Sequence, residues 1–433
     1  MDLTQHSYKI KDLKKEGKHN QALEYYKQKV NGKYPLAEIR QNNYLVANLM
    51  FCLRKTGKFE AALKFFKSHL NLSLTPGLKQ VLKSELYWVV YYILKDAKLG
   101  GDYRQLILGI LQTIDPKNDG LVFSLMFFKL LDFWKNKYND LESTYTILAR
   151  LNISELSSQA NTFDIQKNGK TKTVVLPSQQ ETYFVELSKL LFELKKYQQC
   201  IDVIDEALQT IKKFHLNNRL WLNRKKALAY SAMEQYSLAI QIMEKITGQK
   251  KDWFLYKELA EIYKKSGNRA KATENACLAA IQPGRLDYKV TLFELIAQLL
   301  DKNTDNKLVD SYLCLANLIR KKNNWALKKY NVEINCQNHQ NIQQLTATVK
   351  AHQLHTLGQN SGLQSGKVSK ILHQGKNGDG FIAFGDKQSV YFKFNDIINQ
   401  SQSFIEGQKM LFKIKNTKYK GKDKTMAYEL IIL

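Results

Sequence analysis

Proline is scarce, with five residues in a chain of 433. Because each proline removes a backbone donor and breaks a helix interior, so few of them admit long helices and argue against a loop-rich β protein. Cysteine is equally sparse. Cys52, Cys200, Cys277, Cys314 and Cys336 are an odd number, lie far apart and form no C-x-x-C. That pattern argues against a zinc ribbon or a disulfide framework and fits a reducing compartment better. Long apolar runs are missing too. The greasiest stretch, Leu121 to Trp134, is broken by Lys129 and Asp132 and falls short of the roughly 20 residues that span a bilayer. Met1 to Ile10 is polar and unlike a secretory leader, so a cytoplasmic location is expected. Acidic residues are the last deficit, 40 against 66 Lys and Arg, for a net charge of +26. An excess of this size favours a polyanionic partner such as nucleic acid.

What the chain does contain is a repeat. Leu13-Lys-Lys-Glu-Gly17 is followed by Ala22 and Tyr26, and Leu53-Arg-Lys-Thr-Gly57 by Ala62 and Phe66. The pattern returns at Tyr197/Cys200/Ile204/Ala207, at Tyr236/Ala239/Met243, and at Gly267/Ala272/Ala276/Ala279. Weaker copies stand around Tyr103/Leu106, Tyr138/Leu141 and Lys307/Val309. A small residue lets two antiparallel helices approach closely, and an aromatic four positions on fills the groove to the next pair. Pro35, Pro76, Pro116 and Pro283 fall between pairs, where a helix must stop. These aromatic and small residues are packing residues; they build a scaffold and name no ligand.

Over roughly residues 1–325 this pattern resembles the tetratricopeptide repeat (TPR) family. Trp253 to Pro283 carries the fullest match, with Tyr256, Ala260, Tyr263, Gly267, Ala272 and Ala279. The resemblance implies an α-solenoid with a concave surface that takes a protein partner. The expected organisation is N-terminal repeats over 1–151, an irregular insertion over 152–180, a second repeat block over 181–330 and a linker over 331–362. Within the insertion, Phe163-Asp-Ile165 and Thr173 to Leu176 flank Asn168-Gly169 and predict a small hairpin. The linker is expected to be helical from Ile342 to Leu357.

From 363 to 433 the periodicity changes to alternation. Five strand-like runs (366–372, 380–384, 389–394, 409–414 and 426–432) are joined by Gly, Asn and Asp turns. They predict a small five-stranded barrel of the oligonucleotide-binding (OB) type, so the fold class is mostly α with a C-terminal β-barrel. Gly366/Val368, Gly378-Asp-Gly380-Phe381-Ile382, Val390-Tyr-Phe-Lys-Phe394 and Glu406-Gly-Gln408 with Phe412 resemble the cold-shock domain. That resemblance implies single-stranded RNA or DNA stacked on Phe381, Tyr391 and Phe394 beside Lys393. Alternation by itself places Tyr391 and Lys393 on one face and Phe392 and Phe394 on the other. The sequence departs from the family where Lys370 stands for a first-strand Trp, Asp379 for an aromatic and Lys393 for a His. Residues 363–433 hold twelve Lys against six acids. Lys370, Lys376, Lys413, Lys415, Lys418 and Lys420 are the candidate phosphate contacts.

Other motifs fail. Gly169-Lys170-Thr171 ends like a phosphate-binding loop, but Asp164 stands where its first glycine belongs. His352-x-x-His355 has no further ligands nearby. No catalytic constellation, metal site or cofactor motif is present. The expected function is a non-catalytic scaffold within a nucleoprotein assembly, holding single-stranded nucleic acid (RNA before DNA) on the barrel and a protein in the solenoid groove. The alternative is a pure protein–protein adaptor whose barrel binds no nucleic acid.

Overall fold

The computed structural model describes residues 2–67, 76–95, 103–160, 162–167, 169–330, 336, 341–360, 362–375, 378–399, 405–419 and 422–433. The chain is mostly helical and ends in a closed five-stranded barrel. It forms two compact units, Met1–Lys225 and Lys226–Leu433.

The helix pairs follow from a turn used repeatedly. At each, a helix ends with a backbone N–H donating back to the sixth carbonyl, after one residue in the left-handed region. Lys18 donates to Leu13 at 2.9 Å, Lys58 to Leu53 at 2.8 Å and Asn268 to Tyr263 at 3.0 Å, with Gly17, Gly57 and Gly267 at φ +74° to +82°. This is the Schellman arrangement, which satisfies carbonyls the helix end leaves open. The copies without glycine make the same turn. Lys196 donates to Leu191 and Gln235 to Tyr230 at 2.9 Å, with Lys195 at φ 59° and Glu234 at φ 61°. Trp325 donates to Arg320 likewise, after Asn324 at φ 57°. The small anchors Ala22, Ala62, Cys200, Ala239, Ala272 and Ala279 are all fully buried. These are helix pairs of the tetratricopeptide type.

In the first unit, Leu3–Lys15 with His19–Lys29 and Asn43–Lys55 with Phe59–Lys67 form the opening pairs. The expected hairpin is present as β1 (Thr162–Lys167) and β2 (Lys170–Val175), with Phe163 opposite Val174 and Gly169 at φ +71° in the turn. In the second unit, Trp253–Lys265 and Arg269–Ile281 form the best-matched pair, followed by Val290–Leu299 and Lys302–Lys322.

The helix expected inside the linker runs from Ile342 to Asn360 and packs on 269–281 and 302–322. It buries Leu345, Val349 and Leu357. Both ring nitrogens of His352 are engaged within this packing, Nδ1 with the Tyr312 hydroxyl at 3.0 Å and Nε2 with Thr356 at 3.2 Å. Buried Glu294 accepts from Arg320, Lys328 and Tyr330, each at about 3 Å. Those donors hold its carboxyl below the usual range against the opposing effect of desolvation.

Cys314 and Cys336 form a disulfide, with Cα atoms 5.9 Å apart, a single bridge that runs against the reducing compartment expected from the cysteine pattern. Spacing gave no reason to pair them. After Trp325 the chain doubles back along the 302–322 helix, where Asn317 accepts from the Lys328 amide and donates to its carbonyl. That return carries the chain back along the helix that bears Cys314. Cys52, Cys200 and Cys277 remain buried free thiols, and burial pushes Cys52 and Cys200 up to about 11 and Cys277 to about 12.

The barrel is formed by β3 (Gln364–His373), β4 (Asp379–Phe384), β5 (Gln388–Lys393), β6 (Lys409–Tyr419) and β7 (Lys422–Ile432), closed in the order β3-β4-β5-β7-β6. Its interior holds Val368, Ile382, Val390, Phe392, Met410 and Phe412. Close approach explains two glycines of the sequence motif. A Cβ on Gly380 would lie 2.3 Å from the Lys370 carbonyl, and one on Gly378 would lie 2.5 Å from the His373 carbonyl. Among the described residues no helix is long and apolar enough to cross a membrane.

Candidate functional site

Alternation along β4 and β5 turns Ile382, Val390 and Phe392 into the barrel and Phe381 and Tyr391 outward. The register sets Phe381 opposite Tyr391. Their half-buried rings meet edge to face, with centroids 5.8 Å apart at 69°. Lys370 on β3 is the partner of Phe381 on its other side, and Lys393 stands opposite Asp379. Both lysines are exposed. The result is a small aromatic surface edged by two cations.

Asp379 is part of this surface. Its Oδ2 accepts from the Tyr391 hydroxyl and its Oδ1 meets His373 Nδ1, both at 2.6 Å. The Tyr391 hydrogen bond first, then His373, holds the carboxyl below its ordinary value. Asp379 therefore fixes the tilt of the Tyr391 ring and tethers an exposed imidazole beside it. Sequence reasoning saw Asp379 only as an acid in an awkward place. Its two partners are a cross-strand neighbour and a residue across the β3–β4 turn, and only the register brings them together.

The remaining candidates divide. Phe394 lies just past β5 in a short 3-10 turn, with its ring parallel to Phe392 at 5.7 Å and packed against the core. Alternation, rather than the family position, describes it. Lys413 is half-buried and bonded to Glu429 at 2.8 Å. Burial opposes its charge, but Glu429 outweighs burial and raises its pKa. Lys415 is exposed and sits 5.1 Å over the Tyr428 ring. Lys418 belongs to β6, while Lys376 and Lys420 lie outside the described residues. Glu406 accepts from the Ile371 amide at 3.0 Å, while Gly407 and Gln408 pair with Val368. The Glu-Gly-Gln motif thus pins β3 and takes no part in the outer face.

Among the described residues no cluster of His, Cys, Asp or Glu is suited to a metal ion. No family model matches the sequence, and no curated protein matches it. Solved structures offer distant likenesses to repeat proteins. One is a tetratricopeptide repeat protein from Parabacteroides merdae, 14% identical, covering 81% of this chain and 98% of that one with a TM-score of 0.27. Another is PilF from Pseudomonas aeruginosa, 14% identical over 67% of this chain and 95% of that one, TM-score 0.29. A third is the C-terminal part of a repeat protein from Cytophaga hutchinsonii, 13% identical over 71% and 93%, TM-score 0.33. At these values the likeness carries no argument about function, and the reading of the helix pairs stands on their own turns and anchors.

Proposed function

We propose that the chain is a non-catalytic scaffold that binds single-stranded nucleic acid, RNA before DNA, on the outer face of β4 and β5. A protein partner occupies the surface of its helix pairs. The observation that carries the nucleic-acid reading is the Phe381–Tyr391 pair between exposed Lys370 and Lys393. Bases stack on aromatic rings whatever their identity, and flanking cations hold the phosphates. The net charge of +26 supplies long-range attraction. The Cys314–Cys336 disulfide counts against a cytoplasmic setting.

A second reading, an adaptor that binds protein alone, draws on Asp379, whose carboxylate lies within the same face. Fluorescence anisotropy of the full chain with single-stranded RNA and DNA, at ~50 mM salt and upward, separates the two. The scaffold reading requires binding that weakens steeply with salt. A flat titration with both nucleic acids, together with a partner retained after nuclease treatment, would leave the adaptor.

A further inference from the structure

The helix-ending turn that recurs through the chain puts a polar residue at the amide that bonds back to the helix: Lys18, Lys58, Lys196, Gln235 and Asn268. At the end of the 302–322 helix the same position holds Trp325, whose amide donates to the Arg320 carbonyl at 2.9 Å. Trp325 is 43% exposed, and Leu327 beside it is 61% exposed. Among the described residues no ring or cation lies against the Trp325 indole. Cations cover Phe51, Tyr91, Phe192 and Tyr428 elsewhere. Packing gives no account of an open indole at this turn.

The turn is also held in place. The Asn317 side chain bonds both backbone groups of Lys328 at 3.2 Å, and buried Glu294 accepts from Arg320, Lys328 and Tyr330. Beyond Tyr330 the Cys314–Cys336 bridge ties the chain to the same helix. A contact built on a fixed turn loses little freedom on binding. Charge narrows what it contacts. Ser311 to Val332 contains five cations and no acid. Glu294 engages two of the five, Arg320 and Lys328. Lys321, Lys322 and Lys329 are exposed and have no acidic partner among the described residues. Protein interfaces are depleted of lysine, and a lipid surface needs a larger apolar face than Trp325 and Leu327 provide. An open indole among unpaired lysines matches a base and its phosphates.

We propose that this turn is a second single-strand contact, in which one base stacks on Trp325 while Lys321, Lys322 and Lys329 hold the adjoining phosphates. The inference rests on the nucleic-acid reading above for its class of ligand, and the turn is tested apart from the barrel. A single-stranded RNA of roughly 20 nucleotides carrying 4-thiouridine is photo-crosslinked to the full chain, and the joined peptides are read by mass spectrometry. Crosslinks are expected at Trp325 and should persist in Phe381→Ala/Tyr391→Ala. Trp325→Ala should weaken binding of the same RNA ~10-fold, and Trp325→Phe should restore most of it. Lys329→Ala should lower the slope of log affinity against log salt by ~0.7. Melting of these variants should match wild type, because the altered side chains are exposed. Crosslinks confined to Phe381 and Tyr391, with affinity indifferent to Trp325→Ala, overturn the turn and leave the barrel face standing. Crosslinks at Trp325 alone overturn the barrel reading and keep the turn. Crosslinks at neither overturn both. Binding to vesicles of about 30% phosphatidylserine in phosphatidylcholine that Trp325→Ala abolishes, with RNA affinity unaltered, assigns the turn to anionic lipid and overturns the proposal as well.

Discussion

Substituting Gly57 by alanine isolates a purely backbone effect. Gly57 sits at φ +74°, and a Cβ built on it meets nothing within 4 Å. No clash is possible, so only the left-handed conformation is penalised. That penalty is ~1–2 kcal/mol, partly offset by the ~0.4–1 kcal/mol that alanine removes from unfolded-chain entropy. The net loss is ~0.5–1 kcal/mol, or ~1–4 °C for a unit of about 225 residues at ~2–4 °C per kcal/mol. Lys195, at φ 59° in an equivalent turn of the same unit, reverses the sign: Lys195→Gly should gain a similar amount. Gly109 is the internal control. It lies inside the helix Arg104–Thr113, has equally open space and no positive φ, so Gly109→Ala should stabilise by ~0.5–1 kcal/mol. Calorimetric melting of the three variants reads all three signs at once. If Gly57→Ala and Gly109→Ala shifted the melt in the same direction, the left-handed turn would not be the device that joins the helices.

Two further outcomes concern the barrel. The Asp379 carboxyl is depressed in the folded state, so its contribution to stability is complete above the ordinary carboxylate range, about pH 4. It is lost as pH falls through the depressed value. Melting of wild type against Asp379→Asn should therefore differ at neutral pH and converge in acid, and a constant gap down to pH ~2 would deny the Tyr391–Asp379–His373 contact. Lys393 and Lys413 should behave differently in nucleic-acid titrations. Lys393→Ala should lower the slope of log affinity against log salt by ~0.7, the value for one single-strand phosphate contact. Lys413→Ala, already committed to Glu429, should leave that slope in place; equal slopes for both variants contradict the assignment.

The repeats were legible because their anchors are local: a small residue, a turn and an aromatic recur within one helix pair. Even the copies lacking glycine keep the turn, with Lys195 and Glu234 bearing the left-handed φ. Five strands and the Gly378/Gly380 motif were legible from alternation and turn residues. Alternation also placed Phe392 and Phe394 together, where the family pattern put Phe394 on the face. What could not be read depends on residues distant in sequence becoming neighbours. The Cys314–Cys336 bridge requires the chain to return along its own helix. The engagement of Lys413 by Glu429 requires the β6–β7 register.

The outward pair Phe381 and Tyr391 is the centre of the account, and the double variant Phe381→Ala/Tyr391→Ala tests it most directly. Anisotropy titration of the full chain with single-stranded RNA should show affinity reduced ~10-fold or more, from ~1–3 kcal/mol per stacked base. Melting of the same protein should still show a cooperatively folded barrel, lowered no further than the loss of the Tyr391–Asp379 hydrogen bond lowers Asp379→Asn, because Val368, Ile382, Val390, Phe392 and Phe412 form the core without these rings. Unchanged affinity in a folded double variant, or a barrel that no longer folds, would contradict the assignment of this face to nucleic acid.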